Sequence, residues 1–343
     1  MTKEQQTPVL DVRNISVGFR RRRREPLFQA LDDVSLTIPR GTTMGLVGES
    51  GSGKSTLAKA VLGLAPTQSG SVRLLGRDTT HLRPTERRKL GSSLQAVFQD
   101  PNSSLNPSCT VGRSLAEPML AQGIRSREII ARRTTKMLED VGLDPAAAAK
   151  YPRDFSGGQR QRISIARALM TEPQLVICDE SVSALDLSVK AQILNLLADL
   201  QDEHGVGYLF ISHDMSVVRH ICHDVTVLYR GQVMETGPTR LVTNEPAHPY
   251  TRALLLAAPV ADPQAQQQRR AATATYGRTT GVTAEASSGC PFAPRCPFAT
   301  DQCRQERPEP QTLTDGRVVA CHRYPEWRQE DRADAPVSEH HDR

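Results

Sequence analysis

The chain has 343 residues, 38% hydrophobic and 4% aromatic, with a formal net charge of +5. That length suits one large domain with an appendage, or two modest domains, with enough apolar residues for a packed core. Few aromatics disfavour a base-stacking nucleic-acid surface, so no nucleic-acid partner is expected, and the mild charge fits a peripheral role at an anionic membrane face equally well.

The start, MTKEQQTPVL, lacks a charged head followed by an apolar run, so no signal peptide is predicted. The longest apolar stretches, such as ALLLAAPV from Ala253, fall short of the ~20 residues of a membrane span. A cytosolic chain is expected, with its seven cysteines as reduced thiols or metal ligands.

In chain order, the first charge run is Arg20–Arg24, read as a solvated loop, with contact to anionic lipid headgroups as the alternative. TMGLVG predicts a strand leading into GESGSGKS, in which Gly48, Gly53, Lys54 and Ser55 fit G-x-x-x-x-G-K-[ST]. The glycines let successive backbone N–H groups converge on phosphate oxygens, and the following helix points its positive end at the same anion. Lys54 is placed to reach the β- and γ-phosphates, and the Ser55 hydroxyl to ligate Mg²⁺.

Residues 101–155 change texture: SLAEPML and REIIARRTTKMLEDVG are helical with no strand between, which predicts an inserted helical lobe. A second glycine-opened helix follows at SGGQRQRISIARAL. Ser156 and Gln159 form a capping box, and Gly157 and Gly158 between them leave the backbone open to close approach by a ligand. QLVICD and GYLFIS predict buried strands, with the amphipathic helix DLSVKAQILNLLADL between them. This alternation argues for a mainly parallel sheet with helices on its faces. Asp179 and Glu180 end the first of these strands, Asp179 suited to support Mg²⁺ and Glu180 to act as general base on water. Cys178 reads as core packing, as do Cys109 and Cys222. VTVLYRGQVMETG predicts a hairpin around Arg230-Gly231.

FSGGQRQR, followed by ICDE, SALD and ISHD, with VFQD at 97–100, resembles the nucleotide-binding subunit of ABC transporters over residues from about 8 to 260. The resemblance implies an α/β P-loop ATPase core at 8–260 with a helical lobe at about 101–165. It also implies a head-to-tail dimer in which each ATP lies between one chain's P-loop and the other chain's glycine-opened helix. Carried over residue by residue, Gly48, Ser50, Gly51, Ser52, Gly53, Lys54, Ser55 and Thr56 hold the phosphates. Gln99 approaches Mg²⁺ and the attacking water and links the site to the membrane subunits. Glu180 is the base, and His213 is the switch histidine. Ser156, Gly157, Gly158 and Gln159 contact the ATP of a partner chain, and Asp186 communicates across the dimer. Phe19 is the best match to the adenine-stacking aromatic, with Phe28 nearby.

PNSSLNP, SVVRHICHDVTVLYRGQVMETG and EPAHPYTRALLLAAP resemble the ATPases of oligopeptide and dipeptide importers, whose relatives handle nickel, glutathione and other small solutes. The resemblance implies two permeases, a second ATPase chain, an external peptide-binding protein and a place on the cytoplasmic face of the membrane. A soluble ABC-type ATPase acting on nucleic acid or ribosomes is the competing reading. Residues 261–288 read as a linker, 289–328 as a cysteine-rich module, and 329–343 as disordered. Cys290, Cys296, Cys303 and Cys321 form C-x₅-C-x₆-C-x₁₇-C, four soft ligands without the C-x₂-C pairs of a zinc ribbon. By resemblance a [4Fe–4S] cluster is the leading reading, with Zn²⁺ and free or paired thiols as alternatives.

Overall fold

The computed structural model describes residues 7–20, 27–99, 104–183, 185–258, 266–267, 269, 276 and 288–333. Of the arginine run, Arg20 is exposed and 21–24 lie outside the described residues, as do most of 261–287 and all of 334–343. The chain divides into two compact units, Met1–Gln232 and Val233–Arg343.

The first unit holds two sheets. β1 (Leu10–Phe19), β2 (Phe28–Ile38), β4 (Ser69–Leu74) and β5 (Arg77–Asp78) form an antiparallel sheet in the order β2-β1-β4-β5. The sequence reading did not resolve this sheet. Its strands alternate buried Val12, Ile15, Val17, Leu31, Val34 and Leu36 with polar residues, and bulges in the β1–β2 register break the period.

β3 (Thr43–Val47), β6 (Leu94–Val97), β7 (Leu175–Asp179), β8 (Gly207–Ile211) and β9 (Asp224–Tyr229) form the parallel sheet, in the order β9-β3-β8-β7-β6. β3 and β8 are buried along their whole length, which is why both read as continuous apolar runs. This order carries the carboxyl ends of β3, β8, β7 and β6 side by side, although they lie far apart in sequence.

Between β6 and β7 come the lobe helices Val111–Ala121 and Arg127–Asp140, then Gly157–Leu169. Thr110 and Ser126 cap the first two, accepting from the N–H groups of Arg113 and Ile129. Helix Leu187–His204 buries Ile193, Leu194, Leu197 and Leu200 and stops at Gly205, whose φ of 64° suits glycine. Cys109, Cys178 and Cys222 are buried.

The second unit contains β10 (Gln232–Pro238), β11 (Gln311–Thr312) and β12 (Val318–Val319) in the antiparallel order β10-β12-β11. Its core gathers Ala247, Val319, Cys321 and Trp327, with Phe298, Leu313 and Tyr324 packed against them. Beneath it Arg317 and Glu235, both buried, pair at 3.3 Å, and Asp315 holds the same guanidinium at 2.8 Å. Glu235 also accepts from the N–H groups of Ala247 and His248; burial raises its pKa, and these bonds and the Arg317 charge oppose the shift.

The reading of 329–343 as disordered is corrected over 329–333, where the helix Glu326–Ala333 runs on. Trp327 anchors it, 1% exposed, with its indole N–H donating to the Ala247 carbonyl at 2.8 Å. Asp331 pairs with Arg252 at 3.2 Å and accepts from the buried Tyr276 hydroxyl, also at 3.2 Å. One anchor on a highly polar helix is invisible to a reading by composition.

Candidate active site

The P-loop connects β3 to the helix Lys54–Leu62. Gly48, at φ 152°, admits no side chain: a Cβ there would lie 2.1 Å from the Leu228 carbonyl oxygen. Gly53, at φ 109°, is also too tight for one, with a Cβ 2.7 Å from the Ala30 carbonyl oxygen. At Gly51, φ 79°, the space is open and only the backbone conformation demands glycine. Lys54 folds back over its own loop, donating to the carbonyls of Gly48 at 2.8 Å and Glu49 at 2.9 Å. Burial lowers its pKa, opposed by the charges of Glu180, Asp179 and Glu49.

Asp179 lies at the end of β7, beside β8 and, one strand further on, β3. It accepts from the Ser55 hydroxyl at 3.4 Å. Burial raises its pKa and the Ser55 hydrogen bond opposes this. Lys54 and Asp179 are thus both pushed toward their neutral forms. Phosphate oxygens and a divalent cation supply the counter-charges that reverse both shifts, so Ser55 and Asp179 fit Mg²⁺.

Glu180, just past the end of β7, takes a left-handed backbone, φ 49°. Its carboxylate lies 3.4 Å from Nδ1 of His213, which follows β8. Gln99, beyond β6, donates to the Ser183 hydroxyl at 3.3 Å, and that hydroxyl donates to the Glu180 carbonyl at 2.9 Å. Ser183 is therefore a bridge that sequence reasoning missed. It sits within SALD, but no spacing rule pairs it with a glutamine 84 positions away. Strand order thus brings Lys54, Ser55, Gln99, Asp179, Glu180 and His213 to one edge of the sheet, where open α/β sheets bind ligands.

The second glycine loop opens a helix with other packing neighbours. Ser156 caps the helix Gly157–Leu169, accepting from the Gln159 N–H, while Gln159 accepts from the Ser156 N–H. That helix packs on both lobe helices, β6 and the helix Leu187–His204, whereas the P-loop helix packs on β2 and β7. Ser156, Gly157 and Gln159 are exposed. A Cβ on Gly157 would meet nothing within 4 Å, but one on Gly158 would lie 2.5 Å from Cγ1 of Val189. Asp186 caps that valine's helix, accepting from the Val189 N–H at 2.9 Å and the Ser188 hydroxyl at 2.8 Å.

Phe19 and Phe28 are cross-strand partners at one end of β1 and β2, 38% and 58% exposed. A cleft of about 790 Å³ opens beside Gln99, lined by Leu64, Phe98, Pro118 and Ala121 together with Arg87 and Glu117.

In the second unit, Cys290, Cys303 and Cys321 are buried and Cys296 half-buried. Burial pushes the thiols of Cys296 and Cys321 up to about 12. Donors face the sulfurs and oppose this: the N–H groups of Phe292 and Ala293 at Cys290, Phe298 at Cys296, and Arg323 at Cys321. The Thr300 hydroxyl lies 3.4 Å from the Cys303 sulfur.

Among the described residues, no helix is long and apolar enough to cross a membrane. The ABC transporter family matches residues 31–183, and the oligopeptide/dipeptide transporter C-terminal region matches 234–303. A Sinorhizobium fredii protein named as a peptide ABC transporter ATP-binding protein is 48% identical over 297 residues, covering 87% of this chain and 83% of its own. A Brucella abortus protein named as a peptide import ATP-binding protein is 45% identical over 314 residues, 91% of this chain and 92% of its own. Among solved structures, the cbiO1 part of an ABC transporter complex from Clostridium perfringens aligns with a TM-score of 0.63 at 27% identity, covering 70% of this chain and 92% of that one. A dimeric ATP-binding cassette in a post-hydrolysis state with ADP and Pi aligns at 0.61 and 29% identity, covering 67% and 99%.

Proposed function

Because the chain belongs to the ABC transporter ATP-binding proteins, as the ATPase subunit of a peptide importer, we propose how its residues divide the work. Lys54 and the loop from Gly48 to Thr56, with Ser50, Gly51 and Ser52, hold the phosphates. Ser55 and Asp179, with Gln99 close by, hold Mg²⁺, which neutralises charge on the phosphates. Glu180 takes the proton from the water as its oxygen bonds the γ-phosphorus and the bridging oxygen leaves with ADP. His213 keeps the Glu180 carboxylate oriented, and Ser183 ties Gln99 to the same turn. Phe19 and Phe28 form one edge against which adenine stacks. The observation that carries this reading is the convergence of four strand ends on a buried Lys54 and a half-buried Asp179, both pushed by burial toward their neutral forms.

Replacing Glu180 by Gln keeps the shape and removes the base. Turnover is expected to fall about 10²- to 10⁴-fold with ATP still bound, measured by phosphate release and nucleotide retention. Near-normal hydrolysis excludes Glu180 as the base.

Ser156, Gly157, Gly158 and Gln159 face the ATP of a second ATPase chain, and Asp186 fixes the helix beside them. The cleft beside Gln99 receives a segment of a permease, so the site's state passes directly to the membrane subunits at the cytoplasmic face. An external binding protein delivers the peptide. Nickel, glutathione or another small solute in its place changes those partners and not this site.

In the second unit, Cys290, Cys296, Cys303 and Cys321 hold a [4Fe–4S] cluster. Four cysteines, three of them buried, with backbone N–H donors opposing the effect of burial at Cys290, Cys296 and Cys321, suit a cluster bound by one cysteine per iron. A single Zn²⁺ on the same four thiolates is the alternative.

A further inference from the structure

Each of the four cysteine sulfurs is met by a hydrogen-bond donor. Three are met by backbone N–H groups, which no substitution removes while the fold stands. Cys303 is met by a side chain, the Thr300 hydroxyl at 3.4 Å. A thiol and a hydroxyl can exchange roles as donor, but a metal-bound thiolate has no proton, so Thr300 must then donate. The second side chain is Arg323. Its Nε is buried with no hydrogen-bond partner, while its other end pairs with Glu330 on the last helix. Its charge also bears on Cys296. A buried guanidinium N–H without a partner is costly unless an anionic acceptor completes it.

We propose that Thr300 and Arg323 are tuning residues for a cluster held by the four cysteines, raising its reduction potential by stabilising the extra negative charge of the reduced form. The inference rests on the cluster reading above. Neither residue ligates iron. Hydrogen bonds to the sulfurs and nearby positive charge both favour the reduced state, so removing either lowers the potential.

The test uses the full chain prepared without oxygen, with iron and acid-labile sulfide determined first. The midpoint is then followed by electron paramagnetic resonance during titration with dithionite. Thr300→Val is isosteric and lacks the hydroxyl; Thr300→Ser retains it. Thr300→Val is expected to keep its iron and to lower the reduction equilibrium constant about tenfold, about 59 mV for a one-electron couple. Thr300→Ser is expected to return to the wild-type midpoint, and Arg323→Gln to shift in the same direction as Thr300→Val. Should Thr300→Val fail to hold iron, Arg323→Gln carries the comparison. Equal midpoints in wild type and a fully loaded variant overturn the tuning role and leave the cluster standing. Wild-type protein without iron or sulfide overturns the cluster reading and the inference with it.

Discussion

Asp179 and Lys54 carry opposite charges, yet burial acts on both in the same sense, discouraging the charged form. Such a pair is poised for a ligand that brings charge of both signs. His248 shows the same force where no ligand is involved. It is buried, its Nδ1 accepts from the Tyr250 N–H at 2.9 Å, and burial drives its pKa down to about 3. Above the ordinary value of 6.5 the folded and unfolded chains are both neutral there, and the contribution to stability is complete. As pH falls, the unfolded chain takes up a proton that the folded chain refuses, and stability drops by up to about 1.4 kcal/mol per pH unit. The loss continues down toward the folded value. Trp327, the only tryptophan, is buried in the same unit and reports its unfolding. The urea midpoint by Trp327 fluorescence is expected to fall between about pH 6 and about pH 4, and His248→Asn, which keeps a capping oxygen, to reduce that slope by one proton. Equal slopes in the two proteins would remove His248 as the cause. At this scale the sequence was legible where a motif has fixed spacing, as at Lys54, Ser55 and Asp179. It was not legible for Ser183, Thr300 or Arg323, whose partners are set by the fold.

Two adjacent glycines open one helix for different reasons. Gly158 is demanded by its own chain, since a Cβ would strike the stiff, β-branched Val189. Gly157 has open space and an ordinary helical position, so nothing in its own chain requires glycine there. Gly158→Ala is expected to cost about 1–3 kcal/mol through overpacking at the start of the Leu187–His204 helix, read by chemical denaturation. Gly157→Ala is expected to leave stability within about 0.5 kcal/mol of wild type and, on the proposed reading that this loop meets a neighbour's nucleotide, to impair ATP hydrolysis. A Gly157→Ala protein with full hydrolysis would show that this loop meets no phosphate. Periodicity made the long helix and the buried strands of the parallel sheet readable. The antiparallel sheet escaped because bulges interrupt its alternation, and the last helix because a single tryptophan anchors it.

At the scale of the whole molecule, the P-loop and the second glycine loop open helices with different main packing partners. Ser156→Arg therefore tests assembly apart from binding. On a Glu180→Gln background it is expected to leave ATP affinity of the isolated chain unchanged and to abolish ATP-driven pairing with the partner ATPase, measured by nucleotide titration and by gel filtration. Loss of ATP binding by the isolated chain would place Ser156 in its own chain's site. The alternation of strands and helices made this architecture readable from the sequence. The convergence of four strand ends was not readable, because it depends on strand order.

The open space at Gly157 has a consequence in heredity. On the proposed reading, a lesion there leaves the fold of the chain that carries it intact, and its effect falls on the nucleotide of the neighbour. Where the neighbour is the product of another gene, a mutation in one locus is then read as failure of the other's ATPase. Two strains, one defective in the loop of the first chain and one in the Lys54 loop of the second, would fall silent at the same site and fail to be told apart by it.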